Sequence, residues 1–210
     1  GILRKSFLII LLSVIQFAGL IYYDFFLVTE HTMPDGFVIF YADSLSIVMI
    51  LLICIIGSLI GVFALRYMKE WEEHHHDEKR TGFFFFILIL FLGAMNALVL
   101  ANDLLWLYFF WEITTLCSFL LIGYQKTNPI AIKNSVKALW MNSLGGVTFV
   151  IGLIVLFKFS GGINTMQDML NQGMNMINES GSTSKNIIGI ALACFVFAGF
   201  TKAAQMPFQS

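Results

Sequence analysis

Charge is scarce in this chain. Asp, Glu, Lys and Arg make up 12% of its 210 residues and sum to a net charge of -1, whereas a soluble domain carries about 25% charged residues. No basic tract occurs, which removes the electrostatic footprint that would hold nucleic acid. Cysteine is sparse as well. Cys54, Cys117 and Cys194 stand far apart within apolar runs, and no C-x-x-C pair is present. This spacing supplies no zinc or iron–sulfur ligand set, so neither metal nor cofactor is expected, and the three read as small packing residues.

What the chain has instead is apolar surface. Hydrophobic residues reach 58%, and Phe alone occurs 22 times. Such a composition marks an all-α, multi-spanning membrane protein. A membrane helix needs about 20 mostly apolar residues. Six segments qualify: Phe7 to Tyr23, Ser44 to Leu65, Phe83 to Asn102, Leu104 to Gln125, Ala138 to Phe157 and Asn186 to Phe208. No small-residue cleavage site follows the first, so it is not read as a signal peptide.

Lys and Arg set the orientation. Arg4 and Lys5 precede the first span, Arg66, Lys69, Lys79 and Arg80 follow the second, and Lys126, Lys133 and Lys137 lie between the fourth and fifth. The connections Thr29 to Asp35 and Asn102–Asp103 have none. By the positive-inside rule the chain starts on the inside. Pro34-Asp35-Gly36 signals a turn. Asp43, in YADSLS, is placed to cap the second span. Asp103 is placed to start the fourth, where a carboxylate meets the positive helix end. Met166, Met169, Leu170 and Met174 recur at helical spacing, which predicts a short surface helix over Ile163 to Met176. The run EEHHHDEKR at 72–80 reads as a solvated cytoplasmic loop, because adjacent histidines do not share a helix face. Gly57-x-x-x-Gly61 and Gly145-Gly146 permit close helix packing.

Two ionisable residues interrupt the spans. Glu112 lies near the middle of FFWEITTLCSFLLIGY. A carboxylate at that depth costs a few kcal/mol and normally faces a partner or a water-filled cavity. It reads either as an ion-translocation group or as a structural carboxylate held by hydroxyls, with Thr115 at i+3. Lys202 lies deep in the last apolar run, within GFTKAAQMPF. Pro207 would clash with the carbonyl four residues back, at Ala203, so the helix should break just after Lys202. Broken membrane helices are tolerated where they line a polar cavity. The alternative is a lysine that snorkels to the interface. At about 4 Å and an effective dielectric near 20, a Glu112–Lys202 pair would attract by about 4 kcal/mol. Separating the pair would then decide whether a proton is held or passed on. Lys133 and Lys137, at the start of the fifth span, either snorkel or feed protons toward the pair.

The runs NDLLWLYFFWEITTLCSFLLIGY, KNSVKALWMNSLGG and GFTKAAQMPFQS, with YADSLS before the second span, resemble the antiporter-like membrane subunits. These are the large antiporter-like subunit of respiratory complex I, that of Mrp-type sodium/proton antiporters, and the corresponding subunit of energy-converting hydrogenases. The resemblance covers Tyr41 to Ser210. It implies about fourteen core helices with two inverted five-helix repeats, each with a broken helix bearing a lysine. By motif position the paired glutamate is Glu112, the lysine is Lys202, and the basic residue before the N-R-x-G-D-like stretch is Lys137. Where the complex I branch carries an aspartate in that stretch, this chain has Gly146, which leans toward a hydrogenase or Mrp relative.

The resemblance also frames the organisation. Residues 1–81 are expected to hold N-terminal membrane helices and a cytoplasmic loop, and residues 82–210 an incomplete first repeat. The chain opens on Gly1, stops within KAAQMPFQS and lacks the second repeat, so an excerpt of a longer subunit is expected. The function implied is translocation of protons or sodium ions in the inner (plasma) membrane. Its expected setting is a redox-driven complex, preferably an energy-converting hydrogenase, with other membrane subunits and peripheral redox subunits as partners and lipid around it. An Mrp antiporter, a complex I subunit and a membrane scaffold are the alternatives.

Overall fold

The structure, a computed structural model, describes residues 39–74, 80–125, 128–159, 165–170 and 182–204. Five long helices occupy them: α1 (Ser44–His74), α2 (Thr81–Leu100), α3 (Leu104–Ile122), α4 (Pro129–Phe159) and α5 (Ser182–Lys202). The first four are long and apolar enough to cross a membrane, and α5 contributes the shorter apolar stretch Ile188–Lys202. Side chains such as Leu45, Leu59 and Phe63 on α1, or Trp140, Val147 and Ile154 on α4, point outward. A helix apolar on its outer face as well as its inner one is suited to lipid. The chain is a multi-pass, all-α membrane protein. The span at 7–23, the Pro34–Gly36 turn, most of the histidine run and Pro207 lie outside the described residues.

Helix lengths depart from the expected spans at two places. α1 and α4 each run for 31 residues, which is about 46 Å of helix against about 30 Å of hydrocarbon. Their charged ends therefore continue the same helices beyond the apolar slab. On α1 these ends carry Arg66 and Glu70, paired at 3.1 Å in water. On α4 they carry Lys133 and Lys137 at the start and Lys158 in the last turn. Hydropathy sees only where a helix leaves hydrocarbon, not where its hydrogen bonding stops.

The described residues up to Leu100 and those from Ala101 on form two compact units. In the first, α1 and α2 run antiparallel. Ser46 Oγ donates to Val99 O at 3.2 Å, Leu92 fills the space over Gly57, and Thr81 Oγ1 donates to the Glu72 carboxylate. Asp43 caps α1 as expected, accepting from the Ser46 N–H at 2.7 Å. Hydrogen bonds from Ser46 hold the Asp43 carboxyl below its usual range.

In the second unit, α4 packs between α3 and α5 and runs antiparallel to both. Leu104, Phe149, Leu153, Leu156, Ala191 and Ala198 form its buried core. Phe149 joins the three helices, with ring centroids 5.9 Å from Tyr108, 5.5 Å from Trp111 and 5.0 Å from Phe195. Asp103 caps α3, accepting from the N–H groups of Leu105 and Trp106 at 3.0 and 2.9 Å, and it is buried. A helical turn at 166–170 docks here, the described part of the expected surface helix. Met166 N–H donates to Asn102 O at 2.7 Å, and Thr165 and Asp168 exchange hydrogen bonds at its start.

Two outcomes follow. Asp103→Ala removes the acceptor of two amide donors at a buried helix start and should cost about 1–2 kcal/mol, read as a lower thermal midpoint of the purified chain in detergent. Because the Asp43 value is depressed on folding, its contribution is complete above the ordinary aspartate value of about 3.9 and is lost only as pH falls through the folded value. Exchange protection of the Ser46 amide should therefore persist through pH 4 and fail at lower pH, and Asp43→Ala should lack it throughout.

Candidate functional site

α5 ends at Lys202. Ala203 N–H still donates to Gly199 O at 2.9 Å and Ala204 N–H to Thr201 O at 3.3 Å, but Ala204 adopts φ 48°. That is the left-handed region, where a helix terminates and where a side chain costs about 1 kcal/mol or more. The helix thus stops just after Lys202, where the sequence placed a break, and residues beyond 204 lie outside the described ones. Lys202 is the last residue of the helix.

The amine crosses to α3. Lys202 Nζ donates to Thr114 Oγ1 at 2.7 Å, to Thr115 Oγ1 at 2.7 Å and to Trp111 O at 3.2 Å. It also sits 5.2 Å from the centroid of the Trp111 ring, within cation–π range. Trp111, Thr114 and Thr115 stand at i, i+3 and i+4, so one helix face presents all three. Both threonines are buried. Their hydroxyls donate back to Trp111 O, at 2.7 Å from Thr114 and 3.2 Å from Thr115. Lys202 does not snorkel outward. It is half-buried and directed into the unit.

Glu112 is one residue on from Trp111 and turns toward α4. Its Oε1 is buried with no hydrogen-bond partner among the described residues, as is Trp111 Nε1. A Cβ at Gly146 would collide with Glu112 Oε1, and a Cβ at Gly145 with Thr201 Oγ1. The two glycines therefore let α4 approach α3 and α5 at once. Glu112 and Lys202 act on each other electrostatically, but they form no direct ion pair among the described residues. The 4 Å contact envisaged from sequence is thus replaced by a hydroxyl seat for the lysine, because Trp111, Thr114 and Thr115, not Glu112, share the face beneath α5. Thr115 serves Lys202 and Trp111 rather than Glu112. The structure brings Glu112 and Lys202 to one turn of α3. It leaves Lys133 and Lys137 exposed on α4, with Lys137 nine residues, about 14 Å of helix, from Gly146.

With that geometry in place, the chain can be compared with known proteins. A family model described as "NADH:quinone oxidoreductase/Mrp antiporter, TM" matches residues 101–210, just over half of the chain. The chain belongs to this family. A second model, "NADH-Ubiquinone oxidoreductase (complex I), chain 5 N-terminus", matches residues 38–84 of this antiporter-family chain. It is similar to Na(+)/H(+) antiporter subunit A1 of Staphylococcus haemolyticus (strain JCSC1435), at 32% identity over 80% of this chain and 19% of the relative. It is similar too to the chloroplastic NAD(P)H-quinone oxidoreductase subunit 5 of Brachypodium distachyon, at 30% identity over 85% of this chain and 22% of the relative. The chain thus spans about a fifth of the length of these relatives. Its fold matches a chain in the structure of the membrane-bound sulfane sulfur reductase (MBS), an archaeal respiratory membrane complex. The TM-score there is 0.73, with 16% identity, 97% of this chain covered and 40% of that chain.

Gly145→Ala sets a Cβ against Thr201 and the Ala198 carbonyl of α5 and should cost about 1–3 kcal/mol. Gly199→Ala, where a Cβ meets nothing within 4 Å, should be neutral or stabilising by up to about 1 kcal/mol. Thermal unfolding of the two variants side by side checks the difference.

Proposed function

We propose that this chain is part of an ion-translocating, antiporter-like membrane subunit of the Mrp or complex I type, in which Glu112 and Lys202 are the ion-translocation groups. The observation that carries the reading is the lysine at the end of α5, its amine drawn inward onto the turn of α3 that bears a carboxylate with a buried Oε1. A nearby ammonium favours the charged carboxylate, and burial without it favours the protonated one. Movement of the amine would make Glu112 release or take up a proton, or a sodium ion in its place.

The organisation read from sequence fits this proposal, with residues 1–81 preceding and residues 82–210 opening an antiporter-like repeat. Lys133 and Lys137 would act at the membrane surface. They sit too far along α4 to reach Glu112 directly, so transfer from them needs a relay. In the redox-driven form, preferably an energy-converting hydrogenase, partner membrane and peripheral subunits in the plasma membrane carry the redox centres, and this chain carries none. The fold likeness to an archaeal respiratory complex is compatible with that form. The second reading, a gradient-driven Mrp antiporter, is favoured by the Na(+)/H(+) antiporter relative. Copurification with iron–sulfur and nickel–iron subunits supports the first, and copurification with small hydrophobic subunits alone supports the second.

Glu112→Gln and Lys202→Ala in the intact complex should each abolish ion translocation, and where a redox reaction drives it they should slow electron transfer as well. Lys137→Ala should slow translocation without abolishing it. Vesicle ion-uptake and electron-transfer rates, measured separately, check this. Full translocation in both the Gln and Ala variants leaves only a scaffold.

A further inference from the structure

The hydroxyl pair beneath Lys202 has a chemistry of its own. An ammonium is three donors with no acceptor, and three oxygens receive Lys202 Nζ: Thr114 Oγ1, Thr115 Oγ1 and Trp111 O. A hydroxyl can serve a donor or an acceptor. Both threonine oxygens also lie within hydrogen-bonding distance of Trp111 O, and a hydroxyl that turns its hydrogen to that carbonyl presents lone pairs to the lysine. The Trp111 ring adds a face that attracts a cation. A neutral amine in the same place would turn its own lone pair toward an acceptor.

We propose that Thr114 and Thr115 are positioning residues that build a seat for Lys202 in its charged form, separate from Glu112, so that the lysine can leave the carboxylate without giving up its proton. The inference deepens the proposed function and rests on it. Glu112 and Cys117, both on α3, are the titratable groups that act on Lys202. The lysines of α4, Lys133, Lys137 and Lys158, are exposed and are not among its partners. The seat explains how the carboxylate stays unpaired while the amine remains satisfied.

The test uses the intact complex in phospholipid vesicles, with the initial rate of ion uptake followed from neutral to alkaline pH. Thr114→Val combined with Thr115→Val removes both acceptors at nearly constant shape. The charged form then loses its support, and the alkaline limb of the rate profile should move to lower pH by about one unit for each hydroxyl removed. Thr114→Ser combined with Thr115→Ser keeps both oxygens and should restore the original profile. If the double valine variant does not assemble, each single valine variant carries half the shift. A valine variant with an unmoved profile overturns the seat, as does a serine variant that fails like the valine one. Lys202→Ala is run beside them. Should it translocate normally, the proposed function itself is lost. Should it fail while the valine variants behave as wild type, only the seat is lost.

Discussion

The cost of holding an amine at hydrocarbon depth is the constraint that organises the 101–210 unit. An amine there needs polar partners, and three oxygens of one α3 turn receive it. The rest follows from that demand. α5 stops at Lys202, where Ala204 turns left-handed, and the amine is received by α3. α3 has to offer hydroxyls at i+3 and i+4 from a carbonyl, since only that spacing puts them on one face. α4 carries no side chain at positions 145 and 146, where it lies against the glutamate of α3 and Thr201 of α5.

The aromatic packing serves the same end. Phe149 meets Tyr108 and Trp111 on α3 and Phe195 on α5, so the turn that receives the lysine is held by the core that joins the three helices. Charges at the far ends of α1 and α4 answer to a different solvent. Arg66, Glu70, Lys133 and Lys137 ride on helix that extends past the hydrocarbon, and they can be exposed at little cost.

Much of this was legible in the residues because depth is expensive. Glu112 and Lys202 stood out as the two charges interrupting apolar runs, and Asp43 and Asp103 stood out as carboxylates at helix starts. The two aspartates cap their helices, while Glu112 and Lys202 come to one turn of α3 without the direct contact their charges suggested. The spans were read too short for α1 and α4, since hydropathy follows the solvent and not the backbone hydrogen bonds. Thr114 was not singled out and Thr115 was read only as a partner of Glu112, for a physical reason. A hydroxyl in a membrane helix usually bonds back to its own i−3 or i−4 carbonyl, so its presence says nothing about a further partner. Thr114 and Thr115 make that back-bond and also accept from Lys202. Only the placement of α5 reveals the second role; the signal in sequence was the W-E-x-T-T spacing, which marks a face but names no occupant.

Gly146 changes meaning once the geometry is known. From sequence it was a departure from the aspartate of the complex I branch. In the fold it is the surface against which Glu112 lies, and even a methyl group there would strike Oε1. An aspartate at this position would set a second carboxylate against the first, and two like charges at contact in low dielectric cannot both stay ionised. A chain with glycine here keeps a single carboxylate on that turn, and its charge state then depends on burial and on the lysine, with no second acid beside it. The glycine and the hydroxyl seat are therefore two halves of one arrangement. The glycine leaves Glu112 without a competing acid, and the seat lets Lys202 stand apart from Glu112 while still charged.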